Sequence, residues 1–181
     1  VQGLPGEHNH QNACAAYAVC RSIGMAPKAI EEALYSYVGL PHRCQILGKY
    51  NGVTFVNDSK ATNADAAEKA LLTFSNIRWI VGGEAKSGGI SSLDPYFSGV
   101  KKAYLIGSSM TAFAEQLHQI DYIKCETVSN AVRLAIVDAE VGDVILLAPA
   151  CASFDQYESF EARGNDFINI VEAIDNENSN Q

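Results

Sequence analysis

Three short runs, "RWIVGG", "KAYLIG" and "DVILLAP", are apolar through their centres and end in glycine or proline. A strand with one face in water alternates apolar and polar residues, whereas a strand apolar throughout must be covered on both faces. Between these runs lie segments of helical spacing: Ala64–Phe74, with Ala67, Leu71 and Phe74 on one face, then Met110–His118 and Val128–Ala139. Apolar strands separated by helices specify a mostly parallel α/β sheet with helices on both faces, a Rossmann-like architecture. A hairpin precedes them, Cys44–Tyr50 and Val53–Asn57, because Asn51-Gly52 supplies the two positive-φ positions of a tight turn.

Two further helices open the chain, about His8–Gly24 and Pro27–Val38, and "GLPHR" marks a change of style after them. Asp155–Ile174 reads as a long closing helix, with Phe154, Asp155 and Gln156 at its start, and "DNENSNQ" as a disordered tail. The expected divisions are therefore 1–39, 40–174 and 175–181.

Hydrophobic residues make up 48% of the 181, enough to fill a core. With 21 acidic against 13 basic residues and no Lys/Arg cluster, a nucleic-acid partner is disfavoured. No apolar run nears membrane-spanning length. Cys14, Cys20, Cys44, Cys125 and Cys151 are scattered without a C-x-x-C pair, which suits a reducing compartment better than disulfides or a zinc site. A soluble cytoplasmic protein is expected, and the opening "VQGLPGEHNHQN" reads as the middle of a longer chain.

Ligands of open α/β sheets bind beyond the carboxyl ends of the strands. Three strands here run into "NDSKATN", "GGEAKSGG" and "PACASFDQ". In the first, the Asp58 carboxylate is suited to accepting hydrogen bonds from sugar hydroxyls. Thr62 or Asn63 can instead cap the next helix. The second lacks the G-x-x-x-x-G-K-[ST] spacing of a phosphate loop, so Lys86 is either an anion contact or a solvated surface charge. In the third, a helix start favours a carboxylate, and Cys151 is more often a buried thiol than a nucleophile. His8 and His10, two residues apart, diverge rather than chelate, so no metal site is expected. Asn9 and Asn12 share a helix face and can read an adenine edge or cap the helix; His42 and Arg43 sit at the inferred boundary.

"GEHNHQNACAA", "GLPHR", "VNDSKATN", "GGEAKSGG" and "LAPACASFDQYESFEARGNDF" resemble, in order and spacing, the Mur ligases, and among them the branch that adds D-glutamate. The resemblance implies the C-terminal part of a three-domain, ATP- and Mg2+-dependent ligase that joins D-glutamate to UDP-N-acetylmuramoyl-L-alanine through an acyl phosphate. Residues 1–39 would be closing helices of a central ATP-binding domain, and 40–174 the C-terminal domain. By the same resemblance Asn9 and Asn12 lie beside adenine, Asp58 on ribose, and His42 and Arg43 on the ATP side. Lys86 and Thr62 would receive one carboxylate of D-glutamate, Ser153 with Phe154 and Phe160 the other, and Lys60 would lie near phosphate or substrate. The family's P-loop, carbamylated lysine and acidic metal ligands have no counterpart in this chain, so the chain alone is expected to be inactive and to hold no cofactor. The alternatives are a sister ligase taking another amino acid, or a free-standing nucleotide or amino-acid binding module.

Overall fold

The computed structural model describes residues 3–179. Strands β1 (Gln45–Tyr50), β2 (Val53–Asn57), β3 (Ile77–Gly82), β4 (Val100–Ile106), β5 (Tyr122–Glu126) and β6 (Val144–Leu147) form one sheet in the order β1-β2-β6-β3-β4-β5. Only β1 runs antiparallel; it turns back onto β2 through Asn51 and Gly52, at φ 50° and 83°. The remaining neighbours pair in parallel.

Alternate residues of the inner strands feed two separate cores. Trp79, Val81, Leu105 and Leu146 face α3 (Ala64–Thr73) and a 3-10 helix at Ser91–Gly99. Ile80, Tyr104, Ile145 and Leu147 face α5 (Val128–Asp138) and α6 (Phe160–Ser179). This double coverage is what removes polar residues from the strand centres. Trp79 is fully buried, and its indole N–H donates to the Ala148 carbonyl at 2.8 Å. At the amino edge of the sheet the buried Asp143 receives Arg78 Nε at 2.8 Å, Lys101 Nζ at 2.6 Å and the Glu140 N–H at 3.1 Å.

The opening helices, α1 (Glu7–Ser22) and α2 (Pro27–Ser36), lie outside both cores: α1 buries no residue and α2 only Ile30. Val19, Ile23, Tyr35 and Val38 are exposed. Among the described residues no helix is long and apolar enough to cross a membrane.

Three expectations are corrected and two elements are added. The closing helix begins at Phe160 rather than Asp155, because 154–159 form turns whose polar side chains bond to other loops. That helix continues to Ser179, past the expected start of the disordered tail at 175, since no glycine or proline follows Ile174 to stop it; residues 180 and 181 lie outside the described residues. The helix expected over Met110–His118 spans Met110–Ala114 only. Strand β5 and the 3-10 helix were not foreseen from the sequence.

Candidate functional site

The parallel strands all end at one edge, and the three polar loops meet there. Asn57, the last residue of β2, is wholly buried and serves as a hub. Its Oδ1 accepts the Ser59 N–H at 3.1 Å, while its Nδ2 donates to the Gly164 carbonyl and to His42 Nδ1, both at 3.1 Å. With Oδ1 and Nδ2 so fixed, His42 Nδ1 must accept, which places the imidazole proton on Nε2. Burial then holds His42 below its ordinary pKa, although nearby Glu161 acts against the shift. A Cβ on Gly164 would overlap the His42 ring, so the helix needs glycine there to admit the histidine.

Asp58 is anchored by its N–H to the Leu147 carbonyl at 2.8 Å, and its Oδ1 accepts the Cys44 N–H at 3.1 Å. Burial pushes its carboxyl up to about 6, opposed by the Cys44 contacts and by the Arg43 charge. Asp58 lines a cavity of about 190 Å³ together with Asn9, Asn12, Arg43 and Lys60. The amide of Asn9 is steadied by donating to the Pro5 carbonyl at 2.7 Å. His42 is not at this cavity; only 6% exposed, it packs edge-on toward Phe160 instead. Lys60 extends its ammonium over the Phe160 ring, 4.1 Å from the centroid.

Asn63 caps α3, its Oδ1 accepting the Ala66 N–H at 2.8 Å. That settles which of the two candidates caps the helix and leaves the half-buried Thr62 hydroxyl free of that task. The first turn of α3 divides two hollows. Ala66 and Lys69 line the one with Asp58, whereas Ala64 and Asp65 line another of about 420 Å³ that holds Lys86, Ser87, Gly88 and Ala150.

The second and third loops are stitched together by a two-residue antiparallel bridge: Glu84 N–H to the Ala152 carbonyl at 2.9 Å, and Ala152 N–H to the Glu84 carbonyl at 3.0 Å. Gly83 makes this possible, since a Cβ there would overlap the Ala152 carbonyl and its φ is 134°. Ser153 is buried and Phe154 is 70% exposed. Asp155 accepts the Ser108 N–H at 2.8 Å, and Gln156 donates to the Glu126 carbonyl at 2.8 Å. Cys151 is wholly buried, and burial pushes its thiol up to about 11, so it is a structural thiol and not a nucleophile.

Arg163, a residue the sequence did not single out, is fully buried on α6. Its Nε donates to Ser59 Oγ at 3.0 Å, and Nη2 to the Ser59 and Cys151 carbonyls at 2.9 and 3.1 Å. Ser59 Oγ in turn donates to the Phe160 carbonyl at 2.8 Å. Glycine, serine and asparagine patterns carried the loops in sequence, but nothing local announces that an arginine will be turned inward. Among the described residues no group of three or more His, Cys, Asp or Glu side chains is placed to hold a metal ion.

The fold and the loops have counterparts among known proteins. Over 94% of this chain and 39% of the other, it superposes on UDP-N-acetylmuramate-alanine ligase MurC from Thermotoga maritima, with a TM-score of 0.69 at 18% identity. MurF ligase from the same organism, solved in complex with ADP, gives 0.64 at 20% identity, over 93% of this chain and 40% of that one. Identities this low speak for the fold alone. Sequence relatives are nearer. A UDP-N-acetylmuramoylalanine--D-glutamate ligase of Cereibacter sphaeroides is 60% identical over 174 residues, 96% of this chain and 37% of the relative. One of Dinoroseobacter shibae is 60% identical over 168 residues, 93% of this chain and 36% of the relative. The chain thus spans little more than a third of the length of these relatives. Residues 42–151, which run from the His42 turn through every strand to the third loop, match the family described as "Mur ligase, glutamate ligase domain". By that match the chain belongs to the Mur ligase family and carries its glutamate ligase domain.

Proposed function

We propose that this chain is the C-terminal part of an ATP-dependent ligase that adds D-glutamate to UDP-N-acetylmuramoyl-L-alanine in peptidoglycan synthesis. One observation supports this most: two hollows of complementary chemistry flank the first turn of α3. The first offers two amides, a buried carboxylate, Arg43 and Lys60, a set matched to a nucleoside with its phosphates. The second offers the Lys86 ammonium beside glycines that let a small anionic ligand approach the backbone.

In the reaction, ATP phosphorylates the carboxylate of the UDP-muramoyl-alanine substrate. The D-glutamate amine attacks the acyl carbon, and the tetrahedral intermediate expels phosphate as the amide forms. On this reading Asn9 and Asn12 meet the adenine edge, Asp58 accepts ribose hydroxyls, and Arg43 and Lys60 stand on the phosphate side. Lys86 and Thr62 receive one carboxylate of D-glutamate; Ser153, with the backbone near Phe154 and Phe160, receives the other. His42 acts through Asn57 and Gly164, to which its ring is bound or packed. These groups bind and orient, which is how a closing domain contributes to an acyl transfer.

Residues 1–39 are assigned to the central ATP-binding domain and 40–174 to the C-terminal domain. The exposed apolar side chains of α1 and α2 are then the surface that the rest of the central domain covers. Mg2+ would sit with the ATP phosphates on the other domains, since no three acidic or His/Cys side chains among the described residues are grouped to hold it. The chain contains no G-x-x-x-x-G-K-[ST] run, so by itself it does not turn over ATP. The nucleotide-linked substrate puts the enzyme in the cytoplasm.

Phosphate release by the full-length enzyme, measured with ATP and the muramoyl substrate plus D-glutamate, L-alanine or diaminopimelate, tests the proposal. Turnover is expected with D-glutamate; its absence there, with turnover on another amino acid, overturns the substrate assignment. Turnover by the purified 181-residue chain alone would contradict its role as a part.

A further inference from the structure

Arg163 is among the largest fully buried side chains of the molecule, 1% exposed. Among the described residues no carboxylate lies within ion-pair distance of it. Its hydrogen bonds go to Ser59 Oγ and to the carbonyls of Ser59, Cys151 and, at 3.3 Å, Ala152, while the Asp155 charge acts on it from beyond ion-pair distance. Burial draws the guanidinium down to about 10, so it stays charged at neutral pH. A buried charge without a counter-ion is costly, and an apolar residue could fill the same volume more cheaply. What an apolar residue cannot do is orient three carbonyls belonging to two separate loops.

Orientation of a carbonyl fixes the next amide. In a trans peptide the C=O and the following N–H point in opposite directions, and among the described residues every peptide is trans. The Ala152 carbonyl is drawn inward by Arg163 Nη1 and by the Glu84 N–H. The N–H of Ser153 therefore points away from Arg163, and no group among the described residues accepts it. Likewise the Ser59 carbonyl turns to Arg163 while the Lys60 N–H turns to the His42 carbonyl at 3.0 Å.

We infer that Arg163 is a positioning residue: it sets the Ala152–Ser153 peptide so that the Ser153 N–H is presented to a carboxylate of the incoming amino acid, and it ties that peptide to the nucleotide-side loop through Ser59. The inference rests on the amino-acid site proposed above. Arginine suits the task because its planar fork reaches several acceptors in fixed directions, whereas a lysine ammonium is a single point.

The test uses the full-length ligase with Arg163→Met and Arg163→Lys, measuring KM for the amino acid and for the UDP-sugar separately, with kcat and Tm. Arg163→Met is expected to raise the amino-acid KM by about tenfold or more, with the UDP-sugar KM within about twofold; Arg163→Lys should fall between it and the parent. An unchanged amino-acid KM alongside a lowered Tm makes Arg163 purely structural and overturns the inference. Should Arg163→Met fail to fold, Arg163→Lys is judged by the same split. The unmutated enzyme separates the two readings: if it accepts an amino acid other than D-glutamate, the substrate assignment fails, and Arg163 stands or falls on the KM for the acid that is accepted.

Discussion

Replacing Asn57 by alanine removes the hub beneath the first loop. Three partners lose a bond: the Ser59 N–H, His42 Nδ1 and the Gly164 carbonyl. The Gly164 carbonyl lies inside α6 and keeps its helical partner, so two buried groups are orphaned. At about 1–3 kcal/mol for each orphan, plus a small cavity, the expected loss is about 4 kcal/mol. That is a large part of the roughly 5–15 kcal/mol available to an ordinary domain. Urea unfolding followed by the fluorescence of Trp79, the single tryptophan and fully buried, reads it directly. The midpoint should fall with m unchanged. A loss under about 1 kcal/mol would refute the claim that these bonds are made and matter.

The companion variant Asn57→Asp tests whether burial keeps the His42 ring neutral. In the parent, His42 is held below its ordinary value, so the folded state binds fewer protons than the unfolded state as pH falls. Its contribution is present above an unfolded value of about 6.5 and is lost as pH drops toward the folded value. A carboxylate in place of the amide favours the imidazolium and raises the folded value. The contribution is then present below about 6.5 and lost as pH rises through the raised value. Asp58, itself pushed up to about 6, adds a slope of its own but is common to both proteins. The difference in stability between them should therefore narrow from about pH 7 to pH 5. A difference that widens would refute the claim that His42 is held neutral by burial in the parent and charged by the carboxylate in the variant.

Further outcomes are expected. In the full-length enzyme, Lys86→Ala should weaken D-glutamate use by about 1.5–3 kcal/mol, the worth of one charge-assisted contact; an unchanged KM and rate would remove Lys86 from the site. Burial pushes the Asp143 carboxyl up, but Lys101, the Glu140 N–H and Arg78 outweigh it and hold the group below its ordinary value. Its contribution is present above an unfolded value of about 3.9 and is lost as pH falls through the folded one. Asp143→Asn should cost about 3 kcal/mol near neutrality and flatten the acid limb of the stability curve; an acid limb identical to the parent's would sink this. In native protein at about pH 8, alkylation mapped by mass spectrometry should mark the exposed Cys14 and spare Cys125 and Cys151, whose thiols burial pushes up to about 11. Equal labelling of all three would mean the core opens readily.

The sheet was legible because its inner strands cannot tolerate a polar face: Trp79–Ile80–Val81 and Ile145–Leu146–Leu147 feed both cores in alternation. Strand β5 escaped because it is an edge strand with Tyr122, Lys124 and Glu126 exposed, a pattern equally at home in a loop. The start of α6 was misplaced because Asp155 looks like a helix cap; its carboxylate is instead spent on the Ser108 N–H of a distant loop. Asp58, Asn9 and Asn12 were singled out by residue type, Arg43 by its position and Lys60 by the family resemblance, and the five line one cavity. His42 was placed with them by its position and by the resemblance, yet it turns inward, because Gly164, distant in sequence, leaves room for its ring. Arg163 was invisible for a different reason: apart from Ser59 Oγ its acceptors are carbonyls, which every residue has, so no side-chain pattern marks them.

The strand order carries one more consequence, for how the molecule comes together. Strand β6 lies between β2 and β3 and pairs with both, while β2 and β3 do not pair with each other. Yet β6 is the last strand among the described residues, so during synthesis the middle of this six-stranded sheet is the last of its strands to emerge. A nascent chain ending before Val144 holds a hairpin on one side and a three-stranded piece on the other, each with an open edge, and the face of β2 that α6 covers is still bare. Late closure by a sequence-distant strand favours slow folding and a window for mispairing, and ribosome-bound chains should gain protease resistance abruptly once β6 and α6 have emerged.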